Sequence, residues 1–94
     1  MLVIAHHFIN DPEGFWSAAG EVTKNLPGNL KLHAVYPSID GKTGTCIWEG
    51  DNVAEVQKFL DENASKFATN TCYELNVEKS MGLPSIQLPQ AMAN

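Results

Sequence analysis

The amino-acid sequence predicts an α+β domain with its elements in the order strand, helix, strand, strand, helix, strand. Three observations indicate this class. Four segments are apolar or alternate with the period of a β-strand, and two others carry apolar residues three and four positions apart. An Asp-Gly step, typical of hairpin turns, separates the second strand from the third. A chain of 94 residues is long enough for one such domain.

The first strand and the first helix meet at a capping signal. Residues 2–9, LVIAHHFI, form an apolar run interrupted by two histidines, which predicts a strand. Asp11 is a favourable N-cap, and Pro12 suits the first helical position because its missing N–H costs nothing there. Apolar residues then recur at helical spacing over residues 12–26, so we predict an amphipathic helix that ends at a Pro-Gly step.

The second and third strands form a predicted hairpin. Residues 30–38 alternate between apolar and polar side chains, and residues 43–50 form the next strand. The tight turn between them makes the two strands antiparallel neighbours. We expect the helices to cover the apolar set of the second strand, which leaves His33 on the other face; that set is Leu30, Leu32, Ala34 and Tyr36.

The second helix is predicted to begin at Asn52, because Glu55 three residues later gives a pattern like a capping box. Residues 64–70 finish this helix or add a turn in this prediction, and the fourth strand follows at 71–78. The domain therefore covers residues 1–78, and residues 79–94 form an extended C-terminal tail.

This order of elements is that of the split βαβ, or ferredoxin-like, fold. Right-handed crossovers give a four-stranded antiparallel sheet in the order 4-1-3-2, with both helices on one face. We expect one exception to the antiparallel pairing, a parallel pair formed by the first and third strands in the centre. If the two central strands are parallel and the two edge strands run in the opposite direction, all three histidines of the chain lie at one end of the sheet.

A row of four polar residues is predicted across the open face of the sheet, in the order Glu74, His7, Glu49, His33. Neighbouring strands lie about 4.8 Å apart, so each carboxylate would contact an imidazole. A carboxylate beside a histidine raises the pKa of that histidine and orients its ring, as general acid–base catalysis requires. The four residues are therefore the candidate catalytic residues.

The place of His7 in this row depends on which face each residue of the first strand occupies. We expect His7 on the open face, because one alternating set of the strand is bulkier and should pack under the helices. If the alternation is reversed, His6 replaces His7. The bulkier set is Leu2, Ile4 and Phe8, and the smaller set is Val3, Ala5 and Ile9.

Three interpretations of the row remain open. It can form an acid–base pocket for a small organic molecule. It can hold a divalent metal through His7, His33 and either Glu49 or Glu74, because imidazole and carboxylate ligands suit such ions. It can also be a set of structural ion pairs in an interface, since such pairs perturb pKa values as well.

Composition excludes several classes of function. The net charge is −5 with six Lys and Arg residues, which disfavours binding to nucleic acid or to an anionic membrane. No segment approaches the roughly 20 apolar residues of a membrane span, and no signal peptide is evident, so a cytoplasmic location is expected.

Cys46 and Cys72 are expected to be free thiols and not nucleophiles. No phosphate-binding glycine motif occurs, and no cofactor is predicted.

Residues 2–78, and above all LKLHAVYPSIDGKTGTCIWEGDNVAEVQKFL, resemble the dimeric α+β barrel superfamily, closest to its small uncharacterised bacterial families. That superfamily includes cofactor-independent monooxygenases. The resemblance implies a homodimer formed through the open sheet face, which binds a small organic molecule at the histidine end and performs acid–base or monooxygenase-like chemistry. A non-enzymatic dimerisation module is the alternative. The resemblance also implies a barrel lining of Val3, Ala5, Ile9, Val35, Thr45 and Ile47.

Overall fold

The computed structural model describes residues 1–83 and confirms the predicted fold class. The sheet is open, antiparallel and ordered β2-β3-β1-β4, which is the order 4-1-3-2 taken from the other edge, as in the ferredoxin-like fold. Residues 84–94 of the predicted tail lie outside the described residues. The elements are β1 (Leu2–Ile9), α1 (Pro12–Val22), β2 (Lys31–Pro37), β3 (Thr43–Glu49), α2 (Val53–Ala64), β4 (Ala68–Glu74) and a short 3₁₀ helix (Val77–Lys79).

Both helices begin at the predicted caps. The Asp11 carboxylate accepts a hydrogen bond of 3.1 Å from the backbone N–H of Gly14, and the Asn52 side chain accepts one of 2.8 Å from Glu55. These bonds satisfy N–H groups that have no partner within the helix. The start of each helix is therefore determined by local chemistry.

The hairpin between β2 and β3 also follows its sequence signal. Gly41 has a φ of +74°, a conformation that costs little only for glycine. The Asp40 carboxylate accepts a hydrogen bond of 2.9 Å from the N–H of Lys42, and the Ser38 hydroxyl donates to the same carboxylate at 2.8 Å. This turn fixes β2 and β3 as antiparallel neighbours.

The predicted parallel pairing of the two central strands is wrong: β1 and β3 are antiparallel. A right-handed crossover through α1 makes β2 parallel to β1, with one strand position left between them. The hairpin then reverses the chain, so β3 enters that position in the opposite direction. The end of β1 therefore lies beside the start of β3, with His7 opposite Gly44 and Leu2 opposite Glu49.

The alternation of residues along β1 is the reverse of the predicted one. Val3 and Ala5 lie in the core beneath the helices, together with Trp48 and Leu60. Leu2 lies on the other face, in a cluster with residues of the C-terminal segment. The predicted barrel lining is therefore wrong for the four residues that lie on the helix-covered side: Val3, Ala5, Ile9 and Val35. Thr45 and Ile47 do lie on the open face.

Three element ends differ from the prediction. β4 ends at Glu74 and not at residue 78, and a short 3₁₀ helix follows it at Val77–Lys79. α1 ends at Val22 instead of continuing to residue 26, and the hydroxyl of Thr23 donates to the carbonyl of Ala19 at 2.9 Å. β4 begins at Ala68 and not at residue 71, because its pairing with β1 extends as far as Ile9. The earlier start brings residues 68–70 into the sheet.

The open face is covered at one end and exposed at the other. Leu75, Val77 and Leu83 of the segment after β4 pack there against Leu2 and Ile47. Three aromatic side chains of the same face remain largely exposed: Phe8 at 58%, Tyr36 at 56% and Tyr73 at 48%. Within residues 1–83, neither α-helix has the length and apolar character needed to cross a membrane.

Candidate functional site

Two of the four predicted site residues meet on the open face. Nε2 of His33 lies 2.8 Å from Oε1 of Glu49, and His33 occupies a β-bulge where the register of β2 shifts between Leu32 and Ala34. The hydrogen bond from His33 lowers the pKa of Glu49, and the charges of Lys31 and the amino terminus act in the same direction. Both side chains are partly exposed, and ion pairs of this kind contribute about 1 kcal/mol or less.

The other two predicted residues, His7 and Glu74, do not join this pair, so the predicted row is wrong. His7 lies opposite Gly44 near the start of β3, whereas Glu49 ends that strand, roughly 17 Å away along the sheet. Glu74 pairs with Val3 and is exposed at the sheet edge. The row required parallel central strands and the opposite alternation in β1, and neither is present.

His6 takes the open-face position instead of His7, as the reversed alternation implies. Its Nδ1 lies 3.2 Å from the hydroxyl oxygen of Thr45, and its ring contacts the edge of Phe8 at 4.7 Å between centroids. Its partners are therefore a hydroxyl and an aromatic ring, not the two carboxylates of the predicted row.

The residues of the proposed metal site are too dispersed to hold an ion. His7 lies on the helix-covered face, and His33 with Glu49 lies on the open face. Within the described part of the chain, no group of three or more His, Cys, Asp and Glu side chains is arranged to hold a metal ion. The donor geometry does not support the metal interpretation.

A cavity of about 310 Å³ lies between the sheet and the helices. Phe15 is the one residue of α1 in the buried core, and the cavity lies beside it under the helix. The walls come from both helices and from the helix-covered faces of β1, β2 and β3. The lining residues are His7, Phe15, Trp16, Ala19, Gly20, Val22, Thr23, Leu32, Val35, Cys46, Trp48, Leu60, Asn63 and Ala64.

His7 is the most deeply buried polar side chain in this wall, with 1% of its surface exposed. Its ring packs against Phe15 with 5.0 Å between centroids, and Phe15 meets Trp16 edge to face at 4.9 Å. The indole N–H of Trp16 donates to the Gly41 carbonyl at 3.1 Å, which holds the aromatic group in place.

The hydrogen bond between His7 and Asn70 defines the state of the imidazole. Nδ1 of His7 lies 2.7 Å from Oδ1 of Asn70, and because a carbonyl oxygen can only accept, Nδ1 carries the proton. Burial lowers the pKa of His7, a smaller effect of His6 acts in the same direction, and the bond to Asn70 opposes them. The ring is therefore neutral near pH 7, and Nε2 retains a lone pair that can accept a hydrogen bond or a proton.

Asn70 is itself held from the outside by α2. The side-chain amide of Gln57 donates to the backbone carbonyl oxygen of Asn70 at 2.7 Å, and its side-chain oxygen accepts from the backbone N–H of Cys72 at 2.9 Å. These two bonds attach the edge strand β4 to the helix. They hold the backbone from which the Asn70 side chain reaches His7, and the Asn70 side chain in turn orients the His7 ring.

Two buried side-chain donors have no hydrogen-bond partner among residues 1–83: Nε1 of Trp48 and Nδ2 of Asn70. A buried donor without a partner costs about 1–3 kcal/mol, so such groups are uncommon in folded proteins. Trp48 belongs to the cavity wall, and Asn70 supports another of its residues. Both unpartnered donors thus belong to the cavity wall or its support.

The two cysteines are not candidates for covalent chemistry. Both are free thiols that lie opposite Ala5 on either side of β1. Burial raises the pKa of Cys46 to about 12 and that of Cys72 to about 11. A thiol with so high a pKa contains almost no thiolate at neutral pH, so it is a poor nucleophile.

Comparison with known proteins found no matching family model, no matching curated protein and no matching solved structure. The function of the chain must therefore be inferred from its own geometry.

Proposed function

We propose that this protein binds a small organic molecule in the cavity between α1 and the sheet, with His7 as its polar anchor. One observation carries the proposal: a buried, neutral histidine lines a largely apolar cavity of about 310 Å³. Small-molecule sites in proteins start at about 300 Å³ and combine apolar walls with a few oriented polar groups. The unpartnered indole N–H of Trp48, in the same wall, adds a donor.

The proposal extends to acid–base chemistry at His7. A neutral imidazole whose Nδ1–H is held by a carbonyl oxygen can accept a proton at Nε2, and the carbonyl then stabilises the imidazolium. Asn70 supplies that carbonyl oxygen at 2.7 Å. A bound molecule with a hydroxyl would donate its hydrogen bond to Nε2, and His7 would accept that proton only as the hydroxyl oxygen reacts, which requires no cofactor.

Filling the cavity is expected to abolish binding. Ala19 lines the cavity from α1, whereas Ser17 is exposed on the same helix. We expect Ala19→Leu to weaken the binding of apolar probes such as indole at least about tenfold, because the added methylenes occupy the space the probe needs. Titration calorimetry measures the affinity, and Ser17→Leu, which adds a similar side chain outside the cavity, should bind like the wild type. Equal binding by all three proteins would place the probe elsewhere and refute the proposal.

The second part of the proposal is a homodimer that forms through the open sheet face. Phe8, Tyr36 and Tyr73 expose roughly half of their surface on this one face, beyond the part that residues 75–83 cover. An exposed group of aromatic side chains favours association between subunits, and a second copy of the same face is a natural partner. His33 and Glu49, which are hydrogen-bonded to each other, would then lie at the edge of this interface as a structural contact.

A charge on the open face is expected to dissociate the dimer. Tyr36→Lys places an ammonium on the edge strand β2, at one side of the group of exposed aromatic side chains, and burying it in the interface without a partner is unfavourable. Light scattering at micromolar concentration should give a dimer for the wild type and for a Ser17→Lys control, and a monomer for Tyr36→Lys. A wild-type protein that is monomeric under these conditions would rule out the interface.

A further inference from the structure

The wall of the α1 cavity contains no charged side chain. Its fourteen residues include no Asp, Glu, Lys or Arg, and its histidine is buried and hydrogen-bonded. A charged group brought into such a wall would lose its hydration without gaining a counter-ion. A molecule that fits the cavity is therefore uncharged.

One end of the cavity is aromatic. The rings of His7, Phe15 and Trp16 form a continuous series, with centroids 5.0 Å and 4.9 Å apart, and the last contact is edge to face at 84°. Aromatic rings prefer to pack on one another in tilted or offset arrangements of this kind. This part of the wall is therefore aromatic, which suits a flat aromatic molecule.

The volume of the cavity limits the size of the molecule. An apolar protein cavity of about 150 Å³ accommodates benzene, and this cavity has about 310 Å³. The space is therefore about twice that required by a single six-membered ring, which corresponds to two fused rings.

The hydrogen bond from His7 to Asn70 determines which polar group the molecule carries. Because Nδ1 donates to the Asn70 carbonyl, the remaining ring nitrogen, Nε2, can only accept. Among the described residues, the bond to Asn70 is the one side-chain hydrogen bond that the ring makes. A molecule with a hydroxyl or N–H donor would satisfy this acceptor, and a molecule without one would leave it unpaired.

We propose that the ligand is an uncharged two-ring aromatic compound with one hydroxyl or N–H group, which donates its hydrogen bond to Nε2 of His7. This inference rests on the proposed cavity function and specifies the chemical class of its ligand. Each property of the ligand follows from a separate observation. The uncharged wall requires an uncharged ligand, the cavity volume sets its size at two rings, and the protonation state of His7 requires a hydrogen-bond donor.

Three matched probes test the ligand class on the unaltered protein. 2-Naphthol carries a donor, 2-methoxynaphthalene has the same ring system without a donor, and 2-naphthoate is charged at neutral pH. We expect calorimetry to give a dissociation constant for 2-naphthol about tenfold below that of the ether, the usual effect of one buried hydrogen bond. We expect no saturable binding of 2-naphthoate.

Two variants locate the effect at His7. His7→Leu should bind 2-naphthol and the ether with similar affinity, whereas His6→Leu, on the opposite face of the same strand, should keep the preference for the naphthol.

Equal affinities for naphthol and ether in the wild type, or tight binding of 2-naphthoate, would overturn the inference and leave cavity binding intact. If no probe binds, or if Ala19→Leu still binds 2-naphthol, the cavity function itself fails. The comparison of probes on the wild type decides the inference even if His7→Leu does not fold.

Discussion

Replacement of Phe15 with alanine is expected to lower the free energy of unfolding by about 3–5 kcal/mol. Phe15 is 4% exposed and is the single fully buried residue of α1. It packs with Ile9 and Ala68 and lies in a tilted contact with the ring of His7, so it is the main attachment of α1 to the sheet. Trp16, the next residue of the helix, is only partly buried against the same cluster, so it replaces few of the lost contacts.

Urea denaturation of Phe15→Ala and of a Ser17→Ala control measures this effect. Ser17 is exposed, and its replacement should change the stability by about 0.5 kcal/mol or less. Because small domains are stable by only about 5–15 kcal/mol, the Phe15 variant should also show a clearly lower melting temperature. A loss below about 1 kcal/mol would mean that α1 is held by contacts other than those of Phe15.

The protein is also expected to lose stability as the pH falls below about 6.5. The pKa of His7 is lower in the folded state than its ordinary value, mainly because burial penalises the charged ring. The unfolded chain therefore binds a proton at His7 before the folded protein does, and acid favours unfolding. The stability from a neutral His7 is fully present above pH 6.5 and is lost as the pH falls towards the lowered folded pKa, by at most about 1.4 kcal/mol per pH unit.

Denaturation curves between pH 7.5 and pH 5 test this dependence. His7→Gln removes the titrating group and should flatten the curve over this range, whereas His6→Gln should retain most of the wild-type slope, because burial lowers the pKa of His7 more than His6 does. The pKa of Glu49 is also lowered, but its effect begins near the ordinary value of a glutamate, below this range. A wild-type stability that is constant from pH 7.5 to pH 5 would contradict a buried, neutral His7.

Local signals in the sequence predicted the elements and their order correctly. The caps at Asp11 and Asn52 and the turn at Gly41 each depend on a side chain or backbone conformation encoded within a few residues. Strand order then followed from the handedness of crossovers. The direction of β3 follows from the same crossover rule together with the hairpin turn. The prediction nevertheless made β3 parallel to β1, and this error placed Glu49 beside His7 in the predicted row.

The face of each histidine could not be derived from alternation alone. Both alternating sets of β1 are apolar, because residues 75–83 cover Leu2 and Ile4 on the open face while the helices cover Val3 and Ala5 on the other. Side-chain size therefore does not distinguish the two faces. In β2, the bulge at His33 moves Ala34 and the residues after it to the opposite face from the predicted one, and no local signal marks this bulge.

The sequence correctly predicted that His33 and Glu49 lie side by side. It did not predict Asn70 as the hydrogen-bond partner of His7. Residues 64–70 are predicted to finish the second helix or to add a turn, although TNTCY at 69–73 contains the Thr and Tyr residues that favour strands. Recognition of this strand would have placed Asn70 beside β1. The partner of His7 is an amide from an edge strand, so no spacing within the sequence could identify it.

The most direct test of the cavity site is an ¹H–¹⁵N NMR titration with 2-naphthol. Binding beneath α1 should shift the indole N–H signals of Trp16 and Trp48 and the backbone amide of Ala19, because all three residues line the cavity. The amides of Tyr73 and Glu74, which pair with β1 residues outside the cavity wall, should remain unchanged. Shifts confined to the open face, or no shifts at the solubility limit of the probe, would contradict the proposed site.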